Sequence, residues 1–171
     1  RQDGGELTGP GALVLDGPFQ WNSGTMSGSG LTRANGPTTL GTGSNKQLDG
    51  RLFLNAGALV WTNGAVLVYA GGVISNLAGA TFELTFDGTA SINTGNGSFD
   101  NAGLVRKSGG TGTASWNWNT RNHATVEARV GTLNFNGPFT QTAGLTLLDG
   151  GALGANPPLQ LLGGVLAGTN T

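Results

Sequence analysis

Apolar and polar residues alternate along much of this chain. In ATVEARVGTLNFNG (124–137), Val126, Ala128 and Val130 fall on one side and Glu127 and Arg129 on the other. Leu133 and Phe135 then resume the apolar side. ATFELTF (80–86) does the same, with Phe82, Leu84 and Phe86 against Glu83 and Thr85. A period of two belongs to a half-buried strand. No stretch carries the 3.6-residue period of a helix, so the chain is predicted to be all-β. The predicted strands are short and are interrupted by Gly and Asn.

A longer period lies over the short one. NAGALVWTNG (55–64), NLAGATFELT (76–85), NAGLVRKSGG (101–110) and NHATVEARVG (122–131) open on Asn55, Asn76, Asn101 and Asn122, spaced 21, 25 and 21 residues apart. Two residues before each Asn stand Phe53, Ile74, Phe99 and Thr120. Four after stand Leu59, Ala80, Val105 and Val126, and six after stand Trp61, Phe82, Lys107 and Ala128. Strands repeating at this interval predict a coil in which each turn lies about 4.8 Å above the last. Equivalent residues then stack in columns.

The expected fold is therefore a single-stranded parallel β-helix (a β-solenoid) of about seven coils of 20–25 residues. The coils are expected to begin near Gly11, Leu31, Arg51, Val73, Ser98, Thr120 and Ala143. Residues 1–10 are read as a lead-in or weak cap and 11–171 as the solenoid. Phe53, Ile74, Phe99, Leu59, Val105, Val126, Trp61 and Phe82 form the predicted core columns. The four Asn residues are assigned to a structural corner, with positive φ and amides that bond from coil to coil. Asn-Gly hairpins in a sandwich would not require this register.

Phrases also recur over longer distances. GALVLDGPF (11–19) matches GTLNFNGPF (131–139), and GTMSGS (24–29) matches GVLAGT (164–169), at offsets of 120 and 140. The difference is one turn, which reads as a window on a longer array with one extra coil in its last part.

Composition narrows the chemistry. The 171 residues include 33 Gly but only 10% charged residues, with net charge −1 and no Cys. Disulfides and thiolate metal sites are excluded. No basic stripe suits nucleic acid, and no apolar run reaches the roughly 18 residues of a membrane span. The chain opens at Arg1 rather than Met, as a processed product or a piece of a larger chain would.

FDNAGLVRKSGGTGT, VGTLNFNGPFTQTAG and LLGGVLAGTNT resemble the repeats of very large secreted bacterial proteins, the autotransporter passengers and filamentous-haemagglutinin-type adhesins. The resemblance runs from about Leu13 onward. It implies a right-handed parallel β-helix, exported and built as a stalk, adhesin or fibre at the bacterial surface. Such repeats usually carry no catalytic residues, so no site is transferred from them.

Little in the sequence points to catalysis. His123, the single histidine, follows Asn122 and has no second His or Cys as co-ligand. The acids Asp3, Glu6, Asp16, Asp49, Glu83, Asp87, Asp100, Glu127 and Asp149 form no adjacent pair and no column. No enzyme, metal or cofactor is expected. In SWNWN (115–119), Trp116 and Trp118 share one strand face. Turned inward they fill the coil; turned outward they would offer a glycan contact. The latter would suit the rival reading, a carbohydrate-binding or carbohydrate-processing β-helix. Arg106 and Lys107 are read as a solvated basic pair. The TGT and TQT phrases do not recur at one-coil spacing, which argues against an ice-binding array. RQDGGELTGPG and LLGGVLAGTNT make weak caps at best, so the coil around Val165 and Leu166 is expected to meet another β-coil, in the same chain or a neighbouring subunit.

Overall fold

The computed structural model describes residues 1–89, 91–93 and 96–169. Among them there is no helix, and parallel strands stack as a β-solenoid of about eight turns. Each turn has three sides. Face I carries eight strands, from Leu13–Leu15 through Leu52–Asn55 and Ser98–Asn101 to Gln160–Leu161. Face II runs from the first half of Phe19–Ser27 through Ala58–Trp61 and Leu104–Lys107 to Val165–Thr169. Face III falls into two ladders. One joins Gln2–Leu7, the second half of Phe19–Ser27, Lys46–Asp49, Val66–Tyr69 and Ser91–Asn93. The other joins Gly88–Thr89, Thr113–Trp116, Thr132–Phe135 and Ala152–Ala155.

Sequence and structure differ by one turn because the last expected coil, from Ala143, holds the start of another. Phe139–Gln141 opens the seventh turn on face I, and Gln160–Leu161 pairs with it to open the eighth. The two strands share no Asn, so the spacing that marks the earlier turns is absent here. Pairing also starts earlier than Gly11. Within residues 1–10, Gln2–Leu7 runs parallel to Phe19–Ser27, with Gln2 beside Trp21 and Leu7 beside Met26.

The register on face I is the one the Asn spacing predicts. Phe53, Ile74, Phe99 and Thr120 form one column, and Asn55, Asn76, Asn101 and Asn122 another. On face II the expected columns need correction. Phe82 stands beside Leu59 and Val105, and Leu84 beside Trp61 and Lys107. Ala80 is therefore not in the Leu59–Val105–Val126 column, and Phe82 is not in the Trp61 column. The cause is a longer corner: Asn76 and Phe82 are six apart, whereas Asn55 and Leu59 are four apart. The extra residues close a turn in which Ala80 N donates to Leu77 O at 3.0 Å.

All eight predicted core residues are buried. Phe82, Phe99, Trp116 and Trp118 join Trp61 in one aromatic cluster. Phe99 meets Trp116 edge-on at 4.8 Å and stacks on Trp118 at 5.9 Å. Each large side chain removed from water contributes about 1.5–3 kcal/mol, so this cluster anchors the middle coils.

The long-range phrase matches also take a different meaning. LDGPF (15–19) turns from face I to face II, whereas FNGPF (135–139) turns from face III to face I. One corner phrase serves different corners because the need is the same at each: backbone must approach backbone in the adjacent coil. ANGPT (34–38) stacks on LDGPF, and a Cβ on Gly36 would lie 2.5 Å from Gly17 O. One on Gly137 would lie 2.3 Å from Trp118 O.

Candidate functional site

The most organised polar structure lies inside the coil. Asn55, Asn76, Asn101 and Asn122 are the last residues of their strands, and all are fully buried. Asn55 Nδ2 donates to Asn76 Oδ1 at 2.8 Å, Asn76 Nδ2 to Asn101 Oδ1 at 2.8 Å, and Asn101 Nδ2 to Asn122 Oδ1 at 2.7 Å. Asn122 Nδ2 reaches Gln141 Oε1 at 3.1 Å, which extends the ladder by one more amide. The second amide proton of Asn55, Asn76 and Asn101 goes to the face II backbone of the next coil, at Thr81 O, Leu104 O and Thr125 O. Asn101 Oδ1 also accepts from Gly103 N at 3.1 Å, which closes the corner.

The ladder matches the expectation, but the corner conformation does not. None of the four Asn residues has positive φ. Each is an extended strand residue, and the turn follows it. The side chain points inward because it has the parity of the core residue two positions earlier.

Three cations are also buried among the described residues. Arg51 donates to Thr32 Oγ1 at 2.9 Å and to the carbonyls of Gly9, Gly11, Ser27 and Leu31 at 2.9–3.1 Å. It ties stacked corners between faces III and I, and burial lowers its pKa. Lys46 Nζ donates to Ser44 O at 3.1 Å and Asn63 O at 3.2 Å. No carboxylate among the described residues bonds to it, and burial pushes its pKa down to about 8. Lys107 Nζ donates to Asp87 Oδ1 at 2.9 Å and to the carbonyls of Phe86, Gly109 and Gly110. A buried cation is tolerated only when its protons find acceptors, and stacked corner carbonyls supply them here.

Lys107 therefore corrects the reading of Arg106–Lys107 as a solvated pair. Lys107 has the inward parity of Val105, while Arg106 is half-buried on the outside and bonds to Glu127. Glu127 is held between Arg106 at 2.6 Å and Arg129 at 2.9 Å. Burial pushes its pKa up, but the two guanidinium hydrogen bonds outweigh this and hold it below the usual range.

Trp116 and Trp118 are fully buried, so the outward glycan platform is overturned. Trp116 Nε1 donates to Thr120 Oγ1 at 2.9 Å, while Trp118 Nε1 has no hydrogen-bond partner. His123 is exposed, with Nδ1 2.6 Å from Thr142 Oγ1. Among the described residues no group of three or more His, Cys, Asp or Glu is placed to hold a metal, and no helix is long and apolar enough to cross a membrane.

A hollow of about 340 Å³ opens among Gln2, Gly4, Gly5, Glu6, Leu7, Leu13 and Phe19, where the coil interior meets solvent. At the other end Leu161, Leu162, Val165 and Leu166 are exposed.

Sequence reasoning missed Lys46, Arg51 and Gln141 as structural residues. Parity carried the signal for the two cations: Lys46 alternates in phase with buried Leu48, and Arg51 with Phe53 and Asn55. The chain matches no protein-family model, no curated protein and no solved structure.

Proposed function

We propose that this chain is a structural β-solenoid segment of an extracellular bacterial surface protein, adhesin or self-assembling fibre, and that it performs no catalysis. The observation that carries this reading is the continuous axial stack, eight parallel strands on face I tied from coil to coil by the amides of Asn55, Asn76, Asn101 and Asn122. On face II the last described strand is Val165–Thr169. This strand pairs with Leu145–Asp149 on one side, and it is the last in its sheet among the described residues. Leu162 just before it, and Val165 and Leu166 within it, are half or more exposed. An edge of unpaired N–H and C=O groups next to exposed apolar side chains favours another strand. The partner is another β-coil, of the same chain or of a neighbouring subunit. Contact with a neighbouring subunit is head-to-tail and propagates.

The amide ladder and the caged cations fit a mechanical role, because they tie each coil to the next along the axis. An antibody raised against this chain and applied to bacteria that make the protein tests the location. Binding to intact cells supports the proposal, and binding only after lysis counts against it.

A further inference from the structure

We propose that Asn63 is a site of spontaneous deamidation, activated by Lys46. Asn63–Gly64 lies in the corner between Ala58–Trp61 and Val66–Tyr69, with Asn63 exposed. Gly64 N donates to Asn63 Oδ1 at 2.7 Å. Oδ1 is bonded to Cγ, so the backbone nitrogen already sits beside the carbon it would attack, which is the condition for a fast intramolecular reaction. Gly64 has φ +72 and no side chain to obstruct ring closure.

The same peptide unit is polarised from inside. Lys46 Nζ donates to Asn63 O at 3.2 Å. That carbonyl is conjugated with Gly64 N–H, so a cation on its oxygen makes the N–H more acidic. Hydroxide removes the Gly64 proton, and the nitrogen attacks Asn63 Cγ. The bond from Cγ to Nδ2 breaks, and ammonia leaves after taking up a proton from water. Water then opens the succinimide at either carbonyl, giving aspartate or isoaspartate. The net change is one water consumed and one ammonia released. The aspartate form places a carboxylate on the residue whose backbone carbonyl Lys46 holds, and no carboxylate among the described residues bonds to that cation.

Two of the three other Asn-Gly pairs in the chain supply internal controls. Gly36 N is engaged with Leu15 O and Gly137 N with Trp116 O. Their Asn side chains are also held: Asn35 by Arg33 and Asp16, Asn136 by Asn134 and Asn117. In these corners the nitrogen is turned away from the side chain it would attack.

The test is peptide mapping by mass spectrometry of the folded protein during incubation near neutral pH, below the value of about 8 at which Lys46 loses its charge, with an isoaspartate-specific assay. Asn63 is expected to gain one mass unit at least about tenfold faster than Asn35 or Asn136, and urea-unfolded chain should lose this selectivity. Lys46→Met should slow Asn63 severalfold and leave the other two unchanged. If Lys46→Met loosens the fold, Asn35 and Asn136 accelerate as well, so the wild-type selectivity decides the matter independently. Equal rates at the three sites in the folded protein would overturn the proposal. An unchanged Asn63 rate in a folded Lys46→Met variant would overturn the role of Lys46.

Discussion

Asn76 Nδ2 donates to Asn101 Oδ1 at 2.8 Å across 25 residues of sequence, inside the protein and away from water. The bond exists because both residues end a face I strand with the same parity. It runs along the solenoid axis, parallel to the sheet hydrogen bonds. Removing one member leaves buried partners on both sides. Asn101→Ala strips Asn76 Nδ2 of one of its two acceptors, leaving Leu104 O, and removes the Asn101 amide from Thr125 O and from Asn122 Oδ1, which keeps only Ala124 N. The expected loss is about 2–4 kcal/mol. Asn119→Ala, at an exposed position, should cost under about 0.5 kcal/mol. Urea melts of the two variants check this, and equal midpoints would remove the ladder from the account.

Phe99→Asp should destabilise by several kcal/mol, on the order of 4 or more, because it places a charge within the aromatic cluster. Thr85→Asp should change little, since Thr85 is exposed. Near-ultraviolet circular dichroism is the sharper readout. The signal of the stacked indoles should collapse in the first variant and persist in the second.

The recurring Asn makes face I legible, because the strand residue two positions before it recurs in step whether the coil is 21 or 25 residues long. Face II reads two residues out at Phe82, where the corner after Asn76 lengthens; the signal is that Gly79 stands three residues after its Asn, whereas Gly57 and Gly103 stand two after theirs. The buried cations escape for a different reason. Composition treats Lys107 as a surface residue, and only the carbonyls of Phe86, Gly109 and Gly110, with Asp87, make its burial tolerable. Those acceptors come from two successive corners, so no local stretch of sequence displays them together. The direction of Trp116 and Trp118 is open in sequence because Ser115, Asn117 and Asn119, which alternate with them, suit either side; in the fold Trp118 stands in the corner between Thr113–Trp116 and Asn119–Asn122.

Lys46 gives stability a measurable pH dependence. Its pKa falls from the ordinary 10.5 in the unfolded chain to about 8 in the fold. Between these values the unfolded chain holds a proton that the folded chain has released. Stability therefore rises with pH through this window, by at most about 3 kcal/mol. Below it the buried charge exerts its full cost. Wild type and Lys46→Met, melted in urea across the window, should differ in slope, with the variant flatter. Parallel profiles would show that folding leaves the Lys46 pKa unshifted.

Glu127 acts in the opposite direction. Its folded pKa lies below the ordinary 4.5, so its contribution is present above that value and is lost as pH falls through the folded value. Glu127→Gln should therefore be less stable than wild type near neutrality and converge with it in acid. Acid titrations of both chains, followed by circular dichroism, check the convergence.

The most direct test of the structural-segment reading is sedimentation velocity over a wide concentration range, on wild type and on a variant with Leu162, Val165 and Leu166 replaced by Lys. The account predicts that wild type grows into progressively larger head-to-tail species as concentration rises, and that the variant, equally folded, stays monomeric. A wild-type chain that remains monomeric at every concentration, with its apolar end exposed, would contradict the fibre reading and leave a stalk or a binding domain.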